Sequence, residues 1–311
     1  MIKRFSLNIT TLIALMLCSS YVYGQQDPSF TQYMYNTMTI NPAYAGTREV
    51  LSSNLLYRSQ WIGIQGAPQT QSLTVHSPIN DGQMGLGINV INDKIGPVSE
   101  TKFNGTYSYI LPIDRYTNIS FGLNAGAELF NIDFTELAIF NGQDSSFQNN
   151  VNNKLSPQVG VGTMIYNDLF YVSLSVPRLL RTEYYDDENN SKTNATSRAH
   201  YYLTAGYVFN FNDNVKFKPS VLSRYLSGSP LRVDVSANFL ISDIFAIGAS
   251  YRLSSSYGAM TSYQISDAIL AGVSYDRDSS ELRNYNNGTF EIFLRFELFR
   301  KYKKMYTPRF F

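Results

Sequence analysis

The chain has 311 residues, with 25 Lys and Arg against 24 Asp and Glu, a formal net charge of +1, a mean hydropathy of -0.18 and 14% aromatic residues. So even a balance excludes the net basic face that a nucleic-acid partner wants, and one cysteine with two histidines, His76 and His200, leaves neither a disulfide framework nor a Cys/His zinc cluster. Beyond the N-terminus no stretch holds the roughly 18 consecutive apolar residues of a membrane-spanning helix, so the apolar content of this Tyr-rich chain has to lie in alternation.

Lys3 and Arg4, the apolar run Leu12 to Leu17 and the small-residue exit Val22-Tyr23-Gly24 read as a secretory signal peptide over residues 1–24, cleaved after Gly24. Its loss removes Cys18 and turns the small positive balance slightly negative. Residues 25–48 show no strand alternation. Pro28 and Pro42 forbid regular helix, Asn41-Pro42 opens a turn that Gly46 closes, and Phe30, Tyr33, Met34, Tyr35, Met38, Ile40 and Tyr44 are too many apolar side chains to remain in water.

Alternation then begins. Along Tyr116 to Phe130, Ile119, Phe121, Leu123, Ala125, Ala127 and Leu129 share one face, and Asn118, Ser120, Gly122, Asn124, Gly126 and Glu128 share the other. A soluble sandwich would carry more charge and less Gly on its polar side. Arg232 and Asp234 form an opposite-charge pair on the polar face of 231–241, and Thr289, Glu291, Phe293, Arg295 and Glu297 share that face of 288–299. Strands are expected near 51–61, 69–79, 83–92, 100–111, 116–130, 156–166, 169–178, 198–211, 215–226, 231–241, 244–254, 257–266, 269–277 and 288–299. That makes about 14 strands, an even number, which predicts an all-β, transmembrane, antiparallel up-and-down β-barrel over residues 49–299. The non-strand segment is expected to pack at the periplasmic end of this barrel or inside it, as a plug or docking surface.

The links fall into two classes. Asn80-Asp81-Gly82, Pro112 to Arg115, Asn167-Asp168, Asn212 to Asn214, Ser242-Asp243 and Asp267 are tight turns. Ile62 to Pro68, Asn92 to Ser99, Asn131 to Leu155, Leu179 to Ser197 and Asp278 to Asn287 are longer, whereas Ser227 to Pro230 and Ser255-Ser256 are short. Outer-membrane barrels put short turns in the periplasm and long loops outside, so the longer class is assigned to the cell surface. Ile132, Phe134, Leu137, Ile139 and Phe140 make the third of these links apolar enough to fold onto the barrel mouth or into the lumen. The fourth is acidic and reads as exposed.

No catalytic, cofactor-binding or metal-binding residue is assigned. His76 and Ser77 are strand neighbours and so face opposite sides. Glu128, Glu291 and Glu297 read as lumen partners for Lys102, Lys216, Lys218, Arg224, Arg232, Arg252 and Arg295 rather than as acid–base pairs. Gly85-Leu-Gly87 and Gly122-x-x-x-Gly126 read as small lumen-facing residues that make room for bulky neighbours.

Asp27-Pro28, Phe30, Gln32-Tyr33-Met34, the aromatic Tyr35 with Asn36, and, after a short apolar spacer, Asn41-Pro42-Ala43-Tyr44-Ala45-Gly46 resemble the N-terminal signature of the PorP/SprF family. The ending Pro308-Arg309-Phe310-Phe311, within a basic tail over 300–311 placed in the periplasm, resembles the family's Pro-Arg-aromatic tail. The resemblance implies a non-enzymatic, integral bacterial outer-membrane component of the type IX secretion and gliding apparatus. It implies support for secretion or cell-surface attachment of large cargo proteins, adhesins among them, through their C-terminal domains. Implied partners are that cargo, other secretion components, a periplasmic peptidoglycan-binding protein and outer-membrane lipid, with no cofactor. The alternative is a passive porin or solute channel.

Overall fold

A computed structural model describes residues 29–137, 150–180 and 199–298. The strands are β1 (Leu51–Ser59), β2 (Gln69–Ile79), β3 (Met84–Ile95), β4 (Val98–Pro112), β5 (Asn118–Ile132), β6 (Val151–Tyr166), β7 (Phe170–Val176), β8 (His200–Tyr207), β9 (Phe209–Asn212), β10 (Val215–Leu226), β11 (Arg232–Ile241), β12 (Phe245–Arg252), β13 (Ser256–Ser266), β14 (Ile269–Asp278) and β15 (Thr289–Leu298). All pairings are antiparallel, and β1 meets β15 from Leu51↔Leu298 to Ser59↔Phe290, which closes the sheet. Fourteen strands form the barrel wall; the extra strand β9 carries β8 onward past Val208, pairing with the lower part of β10.

The wall is polar inside and apolar outside. On β15, Thr289, Glu291, Phe293, Arg295 and Glu297 are buried, while Phe290, Ile292, Leu294, Phe296 and Leu298 are exposed. Closure matters because lipid offers no hydrogen-bond partner, so a spanning sheet cannot leave an edge.

At one end, here the turn end, the hairpins are tight. Ser242 and Asp243 both take positive φ (54° and 56°), which suits the strand twist. Asp114 Oδ1 accepts from the N–H groups of Tyr116 (2.7 Å) and Thr117 (2.8 Å), and these bonds hold its carboxyl below the usual carboxylate range. A lowered native pKa supports the turn fully above the ordinary value and loses that support as pH falls through the lowered one. Hydrogen-exchange protection of the Tyr116 amide is therefore expected to fall in acid, and to be lost at every pH in Asp114→Ala.

The loop end departs from expectation. Asn92 to Ser99 is not a long link: β3 and β4 continue to a Gly96-Pro97 turn, with Ile95 opposite Val98. The polar residues that read as loop are ladder residues: Asp93 faces inward and accepts from Thr70 Oγ1 (2.5 Å), and Asn92 donates to Thr101 Oγ1 (2.7 Å) across the β3–β4 pair. The Asn131 to Leu155 link also shortens, because β5 and β6 pair up to Ile132↔Val151. Phe134 in the remaining link is buried. The strand expected over 198–211 breaks at Val208, and the first strand ends at Ser59.

β4, β5 and β6 run 15, 15 and 16 residues, against the 9–11 or so that cross a bilayer. Their outward residues change from Phe103 to Thr101 and Ser99, and from Leu129 to Asn131. The surplus therefore stands beyond the apolar band, as a raised lip on one side of the mouth.

Candidate functional site: the lumen and its N-terminal segment

Residues 30–47 lie inside the barrel as three short 3-10 turns, at Tyr33–Tyr35, Thr37–Thr39 and Pro42–Tyr44. Gln32, Asn41, Ala43 and Ala45 are fully enclosed, at 0% exposure. The principal core of the described residues forms here. Phe30, Tyr33, Met34, Tyr35, Met38, Ile40 and Tyr44 cluster with inward residues of the wall, including Leu56, Met164, Tyr171, Leu222, Met260 and Phe293.

A chain without regular structure in a buried place must find partners for its backbone, and the wall supplies them. The segment starts at the loop end, where Thr31 and Gln32 donate their N–H groups to the Glu291 carboxylate (3.1 and 2.8 Å). Arg58 Nη1 reaches Thr31 Oγ1 (3.0 Å), Asp276 (3.2 Å) and Glu291 (2.9 Å), and the Thr31 hydroxyl donates to Asp276. Lower down, Tyr35 stacks on Phe293 with ring centroids 4.4 Å apart, its hydroxyl lies 3.0 Å from Ser262 Oγ, and its carbonyl accepts from Asn54 (3.1 Å). The Asn36 amide donates to Ser72 (2.8 Å) and accepts from Thr74 (3.3 Å).

The Asn-Pro-Ala-Tyr-Ala-Gly stretch occupies the turn end. Asn41 Oδ1 accepts from Ala43 N–H (2.9 Å), capping the last 3-10 turn, with Pro42 at its first position. Three wall serines then satisfy successive carbonyls: Ser175 donates to Ile40 (2.6 Å), Ser120 to Ala43 (2.7 Å) and Ser108 to Ala45 (2.6 Å). Gly46 takes φ +77°, where its N–H donates to His76 Nδ1 (3.2 Å). Arg48 Nε donates to Glu297 (2.8 Å), so β15 holds both ends of the segment.

Glycines make this approach possible. A Cβ at Gly85 would meet the Ala45 carbonyl, one at Gly122 the Pro42–Ala43 peptide, and one at Gly162 the Asn41 side chain, all well inside van der Waals contact. The expectation of room for bulky neighbours thus needs correcting for Gly85 and Gly122, because what they admit is main chain.

His76 is buried beneath Tyr44, with ring centroids 5.5 Å apart and edge-on. An imidazole that accepts at Nδ1 and is packed against the segment has a structural part here. His76→Ala strands the buried Gly46 N–H and is expected to cost about 1–3 kcal/mol, read as a lower urea midpoint in detergent, with His76→Asn losing less.

The ion pairs differ in detail from those expected. Asp234 is forked by Arg252 (2.8 and 3.0 Å) across the β11–β12 ladder. Glu291 pairs with Arg58, and Glu297 with Arg48 as well as Arg295. Glu128 faces Arg178 (3.5 Å), and Lys216 takes Asp243 (2.5 Å) at the turn end. Arg48, Arg58, Arg178, Asp243 and Asp276 were missed at the level of sequence.

Of the signature residues, Phe30, Gln32, Tyr33, Met34, Asn36, Asn41, Pro42, Ala43, Tyr44 and Gly46 come together in the lumen. Asp27, Pro28, Pro308, Arg309, Phe310 and Phe311 lie outside the described residues, as do 1–24, 300–311, Ile139, Phe140 and most of the acidic link. Among the described residues no three His, Cys, Asp or Glu side chains group as metal ligands.

Residues 22–296 match the family described as "Type IX secretion system membrane protein PorP/SprF". The chain belongs to the PorP/SprF family. No curated protein sequence matches it. Among solved structures, the "CymD monoaromatic hydrocarbon channel" is similar at a TM-score of 0.53 and 12% identity, covering 90% of this chain and 96% of that one. A Pseudomonas aeruginosa FadL homologue gives 0.49 at 11% identity (88% and 95% covered), and the Acinetobacter baumannii outer membrane protein Omp33 gives 0.47 at 10% (81% and 100%). Only the first passes 0.5, and at 12% identity it speaks for the barrel fold alone. This PorP/SprF chain is thus an outer-membrane β-barrel and a membrane component of type IX secretion.

Proposed function

We propose that this PorP/SprF barrel performs no chemistry and conducts no bulk solute, but acts as a plugged scaffold holding other proteins at the outer membrane. In this reading residues 1–24 are removed on export and 25–48 are the plug. The barrel over 49–299 sits in lipid with its turn end in the periplasm, and 300–311 trail there. The loop end, with its raised lip, faces the cell surface and supports secretion or attachment of large cargo proteins through their C-terminal domains. Other secretion components, a peptidoglycan-binding protein among them, meet the periplasmic face.

The observation that carries the reading is the enclosure of residues 30–47, with Gln32, Asn41, Ala43 and Ala45 at 0% exposure in the position where a porin keeps water. Planar-bilayer recording of the purified chain is expected to show no stable large openings. Sustained porin-sized steps would favour the solute-channel alternative. Pull-down from native membranes should recover a cargo protein and periplasmic partners; recovery of the barrel alone defeats the scaffold.

A further inference from the structure

We infer that the signature segment is in place before the barrel closes, and that the last strand closes onto it. The closing seam lies between β1 and β15, and both of its strands grip residues 31–48. From β15, Glu291 accepts from Thr31 and Gln32, Phe293 stacks on Tyr35, and Glu297 takes Arg48. From β1, Asn54 donates to the Tyr35 carbonyl, and Arg58 reaches Thr31 and Glu291 together. The segment is joined to β1 by the few residues between Arg48 and Leu51, so segment and β1 form one unit, and β15 covers one side of it.

Later insertion has no route. Thr31 lies beside Arg58, Asp276 and Glu291 at the loop end, while Ala45 and Gly46 lie beside Gly85, Ser108 and His76 at the turn end. A segment following a finished wall would have to pass Tyr33, Met34 and Tyr35 upward through the narrows where Gly85 and Gly122 lie against its backbone and Gly162 against the Asn41 side chain. A closed ring of backbone hydrogen bonds does not widen in lipid without breaking them. Building the wall around the segment breaks nothing.

The inference goes beyond the plugged-scaffold reading, because a plug could arrive early in a channel or late in a scaffold. The test uses the chain from Gln25 onward, which contains no cysteine. Thr37→Cys, at a position 4% exposed, and Thr47→Cys, at one 2% exposed, are each refolded from urea into detergent micelles. Samples taken over time are pulsed with maleimide, while the closed barrel is followed by its unheated gel mobility. Thiol reactivity is expected to drop about a hundredfold no later than the closed band forms, in both variants. A closed band in which the introduced thiol of either variant still reacts as in urea overturns the inference. If one variant does not refold the other decides, and Ser29→Cys supplies a third reporter at the leading end.

Discussion

A chain carrying Gly122→Val is expected to give no closed, heat-modifiable barrel, while Gly105→Val on the same hairpin assembles as the parent does. Both glycines lie on strands of the β4–β5 ladder, and Gly105 faces outward, where the nearest atom to a new Cβ is the Ala125 carbonyl at 3.8 Å. Gly122 faces inward against the Pro42–Ala43 peptide. Overpacking a core ordinarily costs about 1–3 kcal/mol, because side chains change rotamer to make room. Here the obstacle is main chain fixed on two sides, by the Asn41 cap and by the Ser120 bond to the Ala43 carbonyl. Displacing it forfeits both bonds as well, which places the loss above that range. Gly122→Ala should be intermediate. Heated and unheated gel mobility reads the result, and a Gly122→Val barrel with the parent's urea midpoint would mean that the segment is not seated on β5.

The wall was legible because its rule is simple. Period-two alternation fixes which residue faces lipid, and tight-turn residues mark where the strands reverse, so the strands expected at 69–79 and 215–226 match β2 and β10. The mouth was less legible, since Asn92 and Asp93 are as polar as loop residues and only the neighbouring strand shows that they continue a ladder. The socket left a trace that was visible and unread: Phe293 stands on the polar face of the last strand, and Leu56, Met164, Leu222 and Met260 break the inward polar pattern in the same way. A water-filled lumen has no use for them, whereas a lumen holding Tyr33, Met34 and Tyr35 does. The pairing of Arg58 with Glu291 could not be read, because β1 and β15 are neighbours only once the ring closes.

That pairing yields the other large effect. Arg58→Met is expected to destabilise the folded barrel by about 3–5 kcal/mol, the cost of breaking a buried ion pair from one side. Arg58 is 2% exposed and Glu291 0%, and Asp276 shares the same guanidinium. Without the cation two carboxylates face each other at the leading end of the segment, and Thr31 keeps them both as neighbours. Glu291→Gln removes one of those charges while leaving an acceptor for the Thr31 and Gln32 N–H groups, so its loss should be smaller. If charge rather than shape sets the cost, adding Glu291→Gln to Arg58→Met recovers part of the stability instead of summing with it, a coupling that a double-mutant cycle measures directly. Urea midpoints for the parent, the two single variants and the double variant decide the matter. Strict additivity would mean that the arginine packs against the segment without neutralising it.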